Sequence, residues 1–410
     1  MKKTSIILGK TVQKLTRLRG NGGSALPGLI IERRDPNFVR DILGKLPHGV
    51  VVVSGTNGKT TTTKMVAELF EAQGLKVFTN NTGSNFVRGV ISAILKNIKI
   101  SGKFDYDIAV LELDEAHAVK FSEVAPIDYA LLLNVQRDQL DRFGEIDHTA
   151  DCLRKVAKVA KKAVVLNRED PRVGKIEAKN TVFFGLSDEL IGEFPSDDDL
   201  LTTHKTKSST KPALVKLEKL GSKATFTIGK EEFTTPLKVK GIYNAYNAAG
   251  ALALVKTVLP DSDNAKIIDS LANIKSAFGR GETFVINGAE VELLLVKNPS
   301  AFQLSLASFV DKDHDYMIAI NDAIADGRDV SWLWNVDFKG LTHVKVASGT
   351  RATDMALRLK YDEIETGAVI ENLKDAIAKL TRDHDRPKRI FATYTAMLEI
   401  RKIISGKSIL

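Results

Sequence analysis

A single cysteine, Cys152, stands in 410 residues. It excludes an internal disulfide framework and a cysteine-rich zinc site, and it fits a reducing compartment. No apolar run of about 18 residues occurs, so no transmembrane helix is expected. The start, Met1-Lys-Lys-Thr-Ser-Ile-Ile-Leu-Gly-Lys, is basic, but Lys10 breaks its apolar run and no small-residue cleavage site follows. No signal peptide is expected, and the expected location is cytoplasmic. Aromatics are scarce at 7%, and no aromatic-and-basic motif occurs, which argues against nucleic acid despite a net charge of +8. A phosphate-rich substrate near a membrane accounts for that charge equally well. No internal repeat is evident. With 43% hydrophobic and 27% charged residues, the chain is an ordinary globular protein long enough for two or three domains.

What the sequence does contain is concentrated at 50–63, Val-Val-Val-Val-Ser-Gly-Thr-Asn-Gly-Lys-Thr-Thr-Thr-Thr. A β-branched run breaks at Gly55, and a helical pattern with Met65, Val66, Leu69 and Phe70 on one face follows. Strand, glycine turn, lysine and helix form the order of a phosphate-binding loop. Glycines permit positive φ, and the free N–H groups at the helix start favour a polyphosphate. Gly55, Thr56, Asn57, Gly58, Lys59, Thr60 and Thr61 are therefore candidate nucleotide ligands, with the Thr60 hydroxyl placed for Mg²⁺. Val53 occupies the position of the first glycine of the longer pattern, so the form is the short G-T-N-G-K-T. ATP is the default nucleotide, and the loop itself does not exclude GTP.

Around this loop, strands and helices alternate. Strands are expected at 48–54, 76–79, 108–113, 129–133, 163–166 and 181–184, and helices at 59–72, 87–96 and 149–161. Short apolar strands of this kind form a parallel sheet covered on both faces, with ligands at the carboxyl ends of the strands. Three polar groups follow strand ends: Glu112, Asp114 and Glu115; Asn134, Asp138 and Asp141; and the loop 80–85. Glu112 is the carboxylate placed for Mg²⁺ on nucleotide phosphates. Before the sheet, residues 4–18 form a basic amphipathic helix. Packing on the main domain is the preferred reading, and contact with an anionic membrane surface is the other. A loop is expected at Pro27-Gly28. A polar insert spans about 187–235, flexible at first and ending in an antiparallel meander at 213–217, 224–228 and 232–237. The helix from about 240 to 259 carries Asn244 and Asn247 on one face of its first turn, where amides need a polar partner. After a helix at 265–275, a second α/β pattern follows, with strands at 290–296, 315–320, 344–347 and 389–394. Its helices are expected at 301–309, 351–360, 371–380 and 395–404. The loop 321–334 brings both tryptophans beside Asp322, Asp326 and Asp329, as a core anchor or as a docking or active-site surface.

Val53-Ser-Gly-Thr-Asn-Gly-Lys-Thr-Thr-Thr, Asp138-Gln-Leu-Asp-Arg-Phe-Gly-Glu-Ile-Asp147, Tyr243-Asn-Ala-Tyr-Asn247 and Gly279-Arg-Gly-Glu282 together resemble the central domain of the Mur ligase family. Lys297-Asn-Pro299, the 321–334 loop, Ser348-Gly-Thr-Arg351 and Tyr394-Thr-Ala-Met397 resemble the branch of that family that forms the synthetase half of lipid II isoglutaminyl synthase. The resemblance implies a helical segment at 1–47, a central ATP-binding domain at 48–284 and a Rossmann-like α/β domain at 285–410. It also implies ATP and Mg²⁺, with Asn244, Asn247 and Arg280 joining the loop residues at the nucleotide. Lys59 and Glu112 would serve the catalytic step. The implied activity is amidation of the D-glutamate α-carboxylate of lipid II through an acyl phosphate, at the inner face of the membrane. Ammonia would come from a GatD-type class I glutamine amidotransferase in a heterodimer, and Asp329 would complete that partner's Cys–His triad. Members of this branch typically carry a four-cysteine zinc ribbon. The stretch near 190–220 has no cysteine, so no zinc is expected. Two alternatives stay open: a stand-alone amino-acid ligase of the Mur or folylpolyglutamate type, and a nucleotide-gated binding protein without catalysis.

Overall fold

The computed structural model describes residues 3–18, 25–80, 86–137, 146–194, 209–275 and 280–405. Three helices come first: α1 (Lys3–Leu18), α2 (Ala25–Arg34) and α3 (Phe38–Leu43). α1 packs by one face, burying Ile6 completely. α2 overturns the expected loop at Pro27-Gly28. Proline is tolerated in a first helical turn because the N–H it lacks has no helical partner there. Gly28 lets α2 lie directly on α5 (Val87–Asn97), since a Cβ there would meet the Arg88 carbonyl oxygen at 2.2 Å.

The first sheet contains β1 (Gly49–Ser54), β2 (Val77–Thr79), β3 (Ile108–Glu112), β4 (Tyr129–Leu132), β5 (Ala163–Asn167), β6 (Thr181–Leu186), β7 (Val215–Leu220), β8 (Ala224–Ile228) and β9 (Glu231–Thr235). Their spatial order is β2-β3-β1-β4-β5-β6-β7-β8-β9. Pairing is parallel as far as β7 and antiparallel through β8 and β9. The four valines of β1 alternate between two cores, as a strand's period of two requires. Val50 and Val52 face a core shared with α1–α3, α5, α6 (Glu115–Val124) and α7 (Ile146–Val159). Val51 and Val53 face one shared with α4 (Lys59–Ala72), α8 (Ile242–Val258) and α9 (Asn264–Asn273).

The second sheet has β10 (Arg280–Ile286), β11 (Ala289–Leu295), β12 (Asp315–Ala319), β13 (His343–Ser348), β14 (Glu365–Ile370) and β15 (Lys388–Ala392). Their order is β10-β11-β15-β12-β13-β14, parallel except for the first pair. Helices α10 (Pro299–Phe309), α11 (Ala352–Tyr361), α12 (Leu373–Leu380) and α13 (Tyr394–Ser405) connect and cover it. β10 and β14 were not among the expected strands. Asn287 and Gly288, at φ +51° and +86°, form the two-residue turn that folds β10 onto β11. No helix among the described residues is long and apolar enough to cross a membrane.

Candidate nucleotide site and the carboxyl edge

The loop between β1 and α4 takes its shape from two glycines and one asparagine. Gly55 and Gly58 have φ of +133° and +87°. A Cβ on Gly58 would lie 2.5 Å from Asn247 Oδ1, so conformation and space both demand glycine. Asn134, just past β4, accepts from the Asn57 N–H (2.8 Å) and donates to the Asn57 carbonyl (3.0 Å), while its own carbonyl accepts from the Thr56 N–H (3.0 Å). Asp170, past β5, accepts from the N–H groups of Val135 (2.9 Å), Arg172 (2.9 Å) and Val173 (2.7 Å), which pins the Asn134 segment in turn. Burial pushes the Asp170 carboxyl above its ordinary range, against those three hydrogen bonds.

β3 lies beside β1 in a register that sets Glu112 level with Val53, one residue before the end of β1. Thr60, in the first turn of α4, donates to Glu112 Oε1 at 2.8 Å. An octahedral Mg²⁺ about 2.1 Å from its ligands places neighbouring ligand oxygens about 3 Å apart, so this pair suits two adjacent positions on that ion. Asn80 holds the Glu112 backbone from both sides, donating to its carbonyl (2.8 Å) and accepting from its N–H (2.9 Å). Lys59 arches over its own loop. Its ammonium donates to the Gly55 carbonyl at 2.7 Å and lies 3.2 Å from Asp114 and 3.7 Å from Glu115. Burial opposes the charge on Asp114, but Lys59 and Lys297 outweigh it and hold that carboxyl below its ordinary value.

The second domain closes the site. Lys297 donates to the Thr56 carbonyl at 2.9 Å, and the side-chain amides of Asn57 and Asn298 pair reciprocally at 3.1 Å each way. Between the domains lies a cleft. Asn57, Gly58, Asn247 and Lys297 line one end, and Asn167, Leu186, Phe194 and Tyr246 line the other. Phe194 meets the Tyr246 ring edge-on at 5.4 Å, and the Tyr246 hydroxyl donates to Asn167. Burial and the nearby Glu169 push the Tyr246 phenol well up, so it stays a neutral donor.

Asn247 thus reaches the cleft, while Asn244 lies buried one turn back, donating to the Lys240 carbonyl at 2.6 Å. Sequence reasoning does not mark Asn167, Asp170, Gln136 and Tyr246 as site residues. Their signal is position, since Asn167 ends β5, Gln136 and Asp170 follow strand ends and Tyr246 sits between the two asparagines. Asp138, Asp141, the loop 81–85, residues 195–208 of the polar insert and the Arg280 side chain lie outside the described residues.

Farther along, the carboxyl ends of β11, β15, β12 and β13 form one continuous edge. Neighbouring strands lie about 4.8 Å apart, so the loop after β12 starts roughly 10 Å from the Lys297 position. Asp326 anchors that loop, accepting from the Thr395 N–H (2.8 Å), the Thr395 hydroxyl and the Ala323 N–H (3.2 Å). Asp329, by contrast, is exposed. It accepts from the Ser331 N–H at 2.8 Å, which lowers its carboxyl pKa. The tryptophans divide. Trp332 packs partly buried against Phe302, whereas Trp334 is 49% exposed beside Tyr361.

The Mur ligase middle domain matches residues 53–255, and the MurT ligase C-terminal domain matches residues 295–397. Among solved structures, a pseudomurein peptide ligase type C from Methanothermus fervidus superposes with a TM-score of 0.69 at 20% identity, covering 89% of this chain and 80% of that one. MurF ligase from Thermotoga maritima, in complex with ADP, gives a TM-score of 0.65 at 19% identity, covering 92% and 84%. The class is therefore that of the Mur ligases. Within it, the lipid II isoglutaminyl synthase (glutamine-hydrolysing) subunit MurT of Streptococcus pneumoniae is 30% identical over 94% of this chain and 93% of its own length. The subunit of the same name from Staphylococcus aureus strain COL is 29% identical over 96% and 95%. The chain belongs to the MurT family. Both relatives are named as subunits.

Proposed function

We propose that this chain is the carboxylate-activating subunit of a glutamine-dependent ligase that amidates the D-glutamate α-carboxylate of lipid II, in peptidoglycan biosynthesis. One observation carries the reading: Lys297, which closes the phosphate-loop cleft, and the loop with the exposed Asp329 both follow carboxyl ends of strands in the second sheet.

The residues fit Mg²⁺–ATP. The N–H groups at the start of α4, on a loop that Asn134 braces, would cradle the phosphates, and Thr60 with Glu112 would hold the metal. The aromatic end of the cleft, at Tyr246 and Phe194, would take the base. When bound, the nucleotide supplies the γ-phosphoryl group that converts the carboxylate into an acyl phosphate. Lys59 would leave Asp114 and Glu115 for the phosphate oxygens. Lys297, already at the loop, would add positive charge where the transferred group becomes more negative. Ammonia then attacks the acyl carbon and phosphate leaves.

Asp329 belongs to the other half of the reaction. It is an exposed carboxylate held ionised by Ser331, suited to orient a histidine on a GatD-type glutaminase. Trp334 and Tyr361, 49% and 74% exposed and stacked edge-on, add an aromatic surface suited to a partner. The lipid-linked substrate would place this work at the inner face of the membrane.

The test is turnover of lipid II with the co-purified glutaminase, fed either glutamine or ammonia. Asp329→Asn is expected to lose glutamine-dependent amidation by about 100-fold or more while keeping ammonia-dependent amidation. Lys59→Ala is expected to lose both. Equal loss of both activities in Asp329→Asn would sink the assignment of that residue to the partner's triad.

A further inference from the structure

The chain's net charge is concentrated in one place. Residues 3–18 and 87–104 carry eight basic residues and no acidic one, so these two segments hold the whole formal charge of +8 and the rest of the sequence is balanced. The fold sets the two segments side by side. A Cβ on Gly9 would lie 2.5 Å from Leu95, and Gln13 donates to the Ser92 carbonyl at 3.1 Å. Position rises along α1 as it falls along α5, so the helices run antiparallel. The start of α1 therefore meets the end of α5 and the turn that follows it.

The solvent face of α1 carries Lys3, Ile7, Lys14 and Leu15, and the end of α5 adds exposed Lys96, Lys99 and Ile100. Ile7, Leu15 and Ile100 are 51%, 55% and 62% exposed, and Leu26 at the start of α2 is 47% exposed. Arg88 is paired with Glu32 at 2.8 Å and Lys103 with Asp105 at 3.7 Å, but Lys3, Lys14, Lys96 and Lys99 stand exposed among the aliphatic side chains. Such a surface suits an anionic bilayer, whose headgroups would take the lysines and whose acyl boundary would take the aliphatic chains. A polyanion such as DNA would satisfy the lysines but leave the aliphatic row in water.

We propose that the α1–α5 face is a membrane-docking surface for anionic phospholipid, which seats the enzyme beside a lipid-linked substrate. Its purpose rests on the amidation reading, but the docking itself does not. The test is sedimentation of the purified full-length chain with vesicles of phosphatidylcholine alone or with about a quarter phosphatidylglycerol. Binding is expected only to the anionic vesicles and is expected to weaken with salt. Each lysine near such a surface adds roughly five-fold in affinity, so Lys3→Glu, Lys14→Glu, Lys96→Glu and Lys99→Glu together should cost about 100-fold or more. Ile7→Ser with Leu15→Ser and Ile100→Ser should cost roughly ten-fold while leaving the charge unchanged. Lys223→Glu with Lys230→Glu, on the distant β7–β9 meander, should leave binding as it was. ATP binding measured on every variant reports that it is folded. Absence of vesicle binding by the unaltered chain overturns the proposal, as does undiminished binding by the charge-reversed variant. Duplex DNA that binds more tightly and displaces the vesicles also overturns it, in favour of a nucleic-acid face. Ammonia-dependent amidation of a lipid-free substrate does not depend on docking, so failure here is distinguishable from failure of the amidation reading.

Discussion

Gly58 shows how much of the site a single residue decides. Its φ of +87° and the Asn247 amide 2.5 Å from any Cβ leave room for nothing larger than hydrogen. Gly58→Ala should weaken ATP binding by at least about ten-fold, because strain at positive φ and displacement of Asn247 act at the same point. Isothermal titration with ATP checks this, and an unchanged affinity would show that the loop relaxes. The loop residues were legible in the sequence because local order suffices: strand, glycines, lysine, helix. Glu112 was legible because it ends a strand. Asp170 was not. Its partners are the N–H groups of Val135, Arg172 and Val173, and the first of these is brought to it only by the pairing of β4 with β5. Asn298 was legible only through resemblance, since its contact with Asn57 spans 241 residues of sequence.

At the level of elements, helix and strand periodicity placed α4 at its observed bounds and all of the central parallel strands. It missed α6, a short helix directly after β3, and several elements with mixed signals. β14 contains Gly367, a residue depleted in strands, which here lets the backbone pass close to the Lys345 carbonyl. α2 carries proline and glycine in its first turn. The signal for β10 is the turn pair Asn287-Gly288, which precedes β11 and folds the strand before it back. The second sheet is tied at its amino ends by charge. Asp315 on β12 bridges Lys388 on β15 at 2.7 Å and Lys345 on β13 at 2.8 Å. Burial opposes ionisation of Asp315, but the two lysines outweigh it and lower its carboxyl to about 2. A depressed carboxyl contributes stability that is present above its unfolded pKa of about 4 and is lost as pH falls through about 2. Asp315→Asn leaves the buried Lys388 without that partner and should cost about 3–5 kcal/mol at pH 7. The deficit should shrink toward pH 2. Urea midpoints at the two pH values measure it, and a pH-independent deficit would point to packing instead.

For the molecule as a whole, the closeness of the two domains at the cleft depends on Lys297 and on the Asn57–Asn298 pair. Asn298 also caps α10, accepting from the Ala301 N–H at 2.9 Å. Asn298→Asp keeps an oxygen for the cap but removes the amide donor to Asn57. Asn298→Ala removes both. Both variants should raise the KM for ATP several-fold, while only Asn298→Ala should lose about 1 kcal/mol from the cap. Steady-state kinetics and thermal denaturation read the two effects separately, and an unchanged KM in both variants would mean that the domains meet without this pair. Gly28 has a consequence of a different kind. α1 rests on α2 and α5, and α2 reaches α5 only because residue 28 has no side chain. A bulky residue at position 28 would wedge the N-terminal pair away from the sheet at a point remote from the phosphate loop. Gly28→Val is therefore expected to separate the functions, giving a chain that still handles nucleotide in solution but whose lysine-bearing helix no longer holds a fixed place.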